Sequence, residues 1–287
     1  MKARPRRGKT RTAAGLGHVF GAVAVLTILS GCVVANRAAV VEPVVLDWEN
    51  GTFVLPLERY AMSWQEYWTV SHANRVLVAR CLAERGFPSP LAEQNPADYP
   101  LHDTRTYGVW APRVAESRGY NLPDAGYDEM GDAIAQLGPE WDRAEKRCSG
   151  ETQSEKLPSM GIYTETELSL VDRGMDESYR ALLASGVYRD EWEKWAGCIT
   201  EAGLVPDPDR ATLSPIIDFD GDAEVLIRQA IIDTACKERL GTMQRIVDFE
   251  AEVQSRFIAR NEGALLRHQA EAREIVEKAR TIITEGY

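Results

Sequence analysis

The residues with useful chemistry in this 287-residue chain are few and far apart. Four cysteines, Cys81, Cys148, Cys198 and Cys236, are the first of them. Zinc would want closely spaced thiolates or histidines. No Cys-x-x-Cys exists here, and His72, His102 and His268 are scattered, so no metal is expected. His102-Asp103, with Arg105 and Tyr107 close by, has the residue types of an acid/base couple, although a loop histidine beside a turn aspartate is the plainer reading. Asp218-Phe219-Asp220-Gly221-Asp222 alternates carboxylates in a calcium-like way. An EF-hand needs glycine sixth and a bidentate acid twelfth, whereas from Asp218 the glycine is fourth and the twelfth residue is the amide Gln229. Acids before a helix are explained by capping alone. There is no Gly-x-Ser-x-Gly, Ser-x-x-Lys, His-Glu-x-x-His or phosphate-cradling glycine loop. Neither a catalytic residue nor a cofactor is assigned, and the expectation is a non-enzyme. A hydrolase with an unrecognised carboxylate site is the alternative.

Aromatic side chains supply the remaining chemistry. Residues 87–124 hold six prolines and no sustained periodicity, an irregular excursion of a length that usually packs as a unit or carries function. Trp110, Tyr107 and Tyr120 in that segment, with His102, are the candidates for an exposed surface binding a cell-wall sugar or peptide. Of the six tryptophans Trp64, Trp68, Trp110, Trp141, Trp192 and Trp195, four are more readily core residues. Trp195 in particular shares a helix face with Cys198 and is expected to pack on its disulfide.

The charge balance places these groups. With 33 Lys+Arg against 44 Asp+Glu the chain carries −11, which excludes nucleic acid as a partner because phosphates need an excess of cations. Residues 1–31 hold six cations and no acid, leaving the rest of the chain with 27 cations against 44 acids. That basic start runs into the apolar stretch 19–29, then Ser30, Gly31 and Cys32. A basic flank ahead of a short apolar run is the pattern of a secretory signal. Leu29-Ser30-Gly31-Cys32 resembles the lipobox of bacterial lipoproteins. The resemblance implies that residues 1–31 are a signal peptide, cleaved after a diacylglyceryl group is attached to the Cys32 thiol. The partner would then be the membrane, with the body outside the cytoplasm on the outer face of the cytoplasmic membrane. The 25 residues between Arg11 and Arg37 lack charge, so an uncleaved transmembrane anchor is the competing reading.

In an exported chain the four remaining cysteines imply disulfides, with three possible connectivities. Their surroundings repeat. Ala79-Arg80-Cys81-Leu82-Ala83-Glu84-Arg85-Gly86-Phe87 aligns with Ala196-Gly197-Cys198-Ile199-Thr200-Glu201-Ala202-Gly203-Leu204, each the end of a helix stopped by glycine. Cys148 and Cys236 sit in further helical patterns, so the reading favours Cys81–Cys148 and Cys198–Cys236, each stapling one helical unit.

The elements follow. Residues 32–58 form a tether and a small β-hairpin about Asn50-Gly51. Ser63-Trp64-Gln65-Glu66 is a capping box opening a helix to about Arg85. Residues 59–150 form helical unit 1 with its 87–124 excursion, and helices resume over about 128–147. Residues 160–240 form unit 2, with a second capping box at Thr164-Glu165-Thr166-Glu167 and helices over about 164–185, 190–202 and 220–236. Residues 241–287 form a long charged amphipathic helix or a helical hairpin, with Asn261-Glu262-Gly263 as the weak point. The fold class is mainly α.

The body resembles uncharacterised actinobacterial helical lipoproteins with paired cysteines, in Leu55-Pro56-Leu57, in the Trp195-to-Cys198 spacing and in the charged last helix. That resemblance implies no activity. The expected function is a lipid-anchored binding or adaptor module with an envelope-protein or cell-wall partner.

Overall fold

A capping box opens the first helix of the body. In the computed structural model, which describes residues 42–95, 103–123, 126–158 and 168–286, the Ser63 side chain accepts from the Glu66 N–H. The Glu66 carboxylate takes the Ser63 N–H in return, starting α1 (Trp64–Glu84). Arg85-Gly86 stops it with Gly86 at φ +77°, and Phe87 N–H reaches back to Leu82 O at 3.0 Å. The second half repeats this ending: α7 (Gly186–Glu201) stops at Gly203, φ +85°, with Leu204 N–H on Ile199 O at 2.9 Å. The repeated sequence is therefore the same Schellman-type stop built twice.

Between these helices lie α2 (Pro90–Glu93), α3 (Pro112–Arg118), α4 (Tyr127–Ala135), α5 (Gly138–Glu151) and α6 (Leu170–Leu183), the last capped by Ser169. The second capping box, at 164–167, lies outside the described residues. The helical span expected over 128–147 holds two helices, with Gly138 at φ +78° turning the chain between α4 and α5. Asp222 caps α8 (Ala223–Leu240) by accepting from Glu224 N–H and Val225 N–H, so this acid of the calcium-like run has a structural partner.

The last helix, α9 (Thr242–Glu285), runs unbroken for 44 residues, about 66 Å at 1.5 Å per residue. It does not weaken at 261–263, since Gly263 lies within the continuous helix. It lies along the body, where α1, α6, α7 and α8 all pack against it. Ile246, Val253 and Phe257 face the core near its start, and Ile275, Val276 and Ala279 pack on Val70 and Ala73 of α1 near its end. The charged side is solvated. Among the described residues no helix is long and apolar enough to cross a membrane.

Both disulfides join the helices of one half, Cys81–Cys148 tying α1 to α5 and Cys198–Cys236 tying α7 to α8. The two units nevertheless share a core. The excursion leaves the first, sends α3 against α8, and buries Tyr107, Val109, Trp110 and Tyr120 with Trp195, Ile199 and Leu226. Val44 and Phe53 join the same cluster. The hairpin contracts to a single antiparallel bridge, Asp47 with Thr52, around Gly51 at φ +68°. A side chain there would meet Ala111 and Asp103 at 3.1 Å, so the turn is pressed onto the excursion.

Candidate functional site

An apolar opening with polar groups converging on it lies where α6 crosses α9. Gly174 sets the approach: a Cβ there would come within 2.6 Å of Leu57 and 2.7 Å of Phe257, so only glycine lets α6 sit this close. One turn before Phe257 on α9, Gln254 is fully buried, and its side-chain oxygen accepts the Leu57 N–H at 2.9 Å. That bond fixes the 53–58 segment as one wall. Glu58 starts a short 3-10 turn, Glu58–Tyr60, and folds back to accept the Leu55 N–H at 2.9 Å. The resulting cleft holds about 390 Å³. Phe53, Leu55, Leu168, Met175 and Tyr179 supply its apolar walls. Glu58, Asp172, Asp176 and Glu250 supply acids, and no lysine, arginine or histidine lines it among the described residues.

Glu250 is the unusual member. It is 3% exposed, and among the described residues no cation pairs with it. Tyr107 O–H donates to Oε2, and Ser178 lies 3.0 Å from Oε1. The Ser178 hydroxyl also lies 2.8 Å from Met175 O, while it accepts from Gln254 Nε2 at 3.1 Å. One hydroxyl proton serves only one of those two acceptors. A proton on Glu250 Oε1, donated to Ser178, lets Ser178 donate to Met175 O and satisfies every group. Burial pushes the Glu250 carboxyl up from its ordinary value of 4.5, against the pull of Tyr107, Ser178 and Gln254. Glu58 is raised for the same first reason, and the charge of Glu250 adds to it against the Leu55 N–H. Glu250 is thus a buried acid at the floor of the cleft whose surroundings favour its neutral form.

A second buried network holds the excursion in place. Asp233 and Lys237, one turn apart on α8, are both fully buried and pair at 3.1 Å. Trp195 Nε1 donates to Asp233 at 2.7 Å, Tyr120 O–H at 3.3 Å, and Lys237 donates to Val109 O at 2.6 Å. Burial pushes Asp233 up and Lys237 down, while the three donors aimed at Asp233 oppose its neutralisation. Both charged groups of the pair are bonded and fully enclosed, so the work of this network is structural. Asp103 does similar work at the start of the excursion, buried between Arg105 and Arg118.

These networks correct the expected aromatic surface. Tyr107 is 0%, Trp110 1% and Tyr120 4% exposed. Trp110 stands edge-on to Trp48 at 5.1 Å and donates its indole N–H to Thr104 O at 2.8 Å. A long segment with little helix of its own stays ordered by burying its aromatic rings, and these three are anchors rather than a platform. His102 and Cys32 lie outside the described residues. Trp195 is buried beside Cys198, as its spacing implies.

Four buried polar residues, Glu250, Gln254, Asp233 and Lys237, were not singled out from the sequence. A signal was present: Glu250 and Gln254 interrupt the apolar stripe Ile246-Phe249-Val253-Phe257, and Asp233 and Lys237 stand at i,i+4 spacing around Cys236. Comparison with protein-family models, with curated proteins and with solved structures found no match.

Proposed function

We propose that this is an exported envelope protein, lipid-anchored through Cys32 at the outer face of the cytoplasmic membrane. It acts there as a non-enzymatic binding module whose ligand sits in the α6–α9 cleft. The observation that carries the reading is the cleft itself, whose 390 Å³ falls in the range of small-molecule sites. Its acidic lining over apolar walls, with no cation among the described lining residues, suits a ligand presenting an ammonium group on a short apolar stem. Two closed disulfides support an oxidising compartment. The lipobox resemblance supports the anchor, and two acyl chains, at about 0.8 kcal/mol per buried methylene, hold stably.

Titration of the full chain with hexylamine, and with hexanol as the uncharged control, tests the site. Saturable binding of the amine alone, weakened at least tenfold by Glu58→Gln, is expected. Equal binding of both probes contradicts it. For the anchor, Cys32→Ala is expected to leave the chain unprocessed and unlipidated, and normal processing of that variant refutes the assignment.

A protein partner is the second reading. Val205, Ile216 and Phe219, between α7 and α8, are each more than half exposed, and that apolar surface favours an adaptor.

A further inference from the structure

We infer that a second pocket, between α1 and α5 and apart from the α6–α9 cleft, binds a small ligand that joins an anionic head to an apolar body. The pocket holds about 300 Å³. Its floor is apolar, made by Val78 and Leu82 of α1 and by Trp141 of α5. Trp141 donates its indole N–H to Pro88 O at 2.8 Å, so the ring is fixed and its polar edge satisfied. The Cys81–Cys148 disulfide joins the same two helices and holds the walls at a set separation.

The charge at the rim is the opposite of what the chain as a whole offers. The protein carries −11, yet among the described residues Arg75 and Lys156 line this pocket against a single acid, Glu145. Lys156 is placed with care. Asn74 grips the next residue in both directions, donating to Leu157 O at 2.9 Å and accepting from Leu157 N–H at 2.9 Å. The ammonium then contacts Ser149 Oγ at 2.8 Å and Ser149 O at 3.3 Å. Both are neutral oxygens, and an ammonium has three N–H donors. A third donor therefore remains for a ligand oxygen, with a positive charge that no carboxylate of the described residues neutralises within 4.0 Å. Arg75 contributes the second positive charge, its guanidinium held by Gln94 Oε1 at 3.1 Å and lying 5.7 Å from the Trp68 ring. A carboxylate or phosphate at the rim with its apolar portion on Trp141 and Leu82 uses both features, and 300 Å³ limits that portion to one ring or a short chain.

Calorimetric titration of the full chain tests this with N-acetylphenylalanine. N-acetylphenylalaninamide serves as the uncharged control of the same shape, and inorganic phosphate as the head without a body. The acid is expected to bind at least tenfold more tightly than either control. Lys156→Gln should weaken the acid at least tenfold and Glu145→Gln should tighten it, with unchanged unfolding midpoints. Equal affinity for acid and amide overturns the inference. So does an acid affinity that neither substitution moves. Phosphate binding as tightly as the acid also overturns it, by showing that the apolar floor plays no part.

Discussion

Replacing Glu250 by Gln should make the protein more stable at neutral pH, by an amount that grows with pH. The carboxyl is buried, has no cation partner among the described residues, and is raised above its ordinary 4.5 chiefly by that burial. For an acid raised in the folded state, the stabilising contribution is full below its unfolded value. It is lost as pH rises through the folded value. Above about 4.5 the folded protein binds more protons than the unfolded chain, and the wild type loses up to about 1.4 kcal/mol per pH unit through this group. A glutamine reproduces the neutral geometry. Its oxygen accepts from Tyr107 and its amide donates to Ser178, which is left to donate to Met175 O. Urea unfolding followed by tryptophan fluorescence from pH 4 to 8 measures the difference between the two proteins. The variant should be near wild type at pH 4 and gain steadily above it, until the folded-state carboxyl has ionised. A difference that does not change with pH refutes the proton assignment. A difference of the opposite sign would mean that Glu250 is an ionised, stabilised carboxylate.

The other expectations concern the frame. Lys237→Met leaves Asp233 buried without its cation and should cost about 3–5 kcal/mol in urea unfolding, whereas exposed Lys194→Met should cost under about 1 kcal/mol. Removing Cys198–Cys236 by paired alanines opens a 38-residue loop and should cost about 4 kcal/mol in the chain-entropy account, with a similar loss for the 67-residue loop of Cys81–Cys148. Gly174→Ala forces α6 off Leu57 and Phe257 and should cost about 1–3 kcal/mol, read as a lowered melting temperature.

Features written in a few neighbouring residues are legible from the amino-acid sequence alone. The Ser63 capping box, the twin stops at Gly86 and Gly203, the Asp222 cap and the helical periodicity of Ile246, Phe249, Val253 and Phe257 in α9 each depend on contacts within one or two turns. The disulfide pairs are legible because the repeat marks equivalent helices. What escapes is the fate of the excursion. Its prolines deny it long helices and so suggest exposure, but its rings enter a core made by α7, α8 and α9. Tyr107 meets Glu250 across 143 residues and Tyr120 meets Asp233 across 113. Nothing local in either tyrosine records such a partner. The cleft escapes for the same reason, since it exists only where α6, α9 and the 53–58 segment converge.

The central claim, a ligand held at the envelope in the α6–α9 cleft, is tested most directly by a photo-reactive amino acid placed at position 168 on the cleft wall. Producer cells carrying this protein would be irradiated intact, and the membrane fraction analysed by mass spectrometry. The account predicts one small amine-bearing adduct on membrane-bound protein, lost when Glu58 is replaced by Gln. Protein recovered in the cytoplasm, or an adduct indifferent to Glu58, would contradict it.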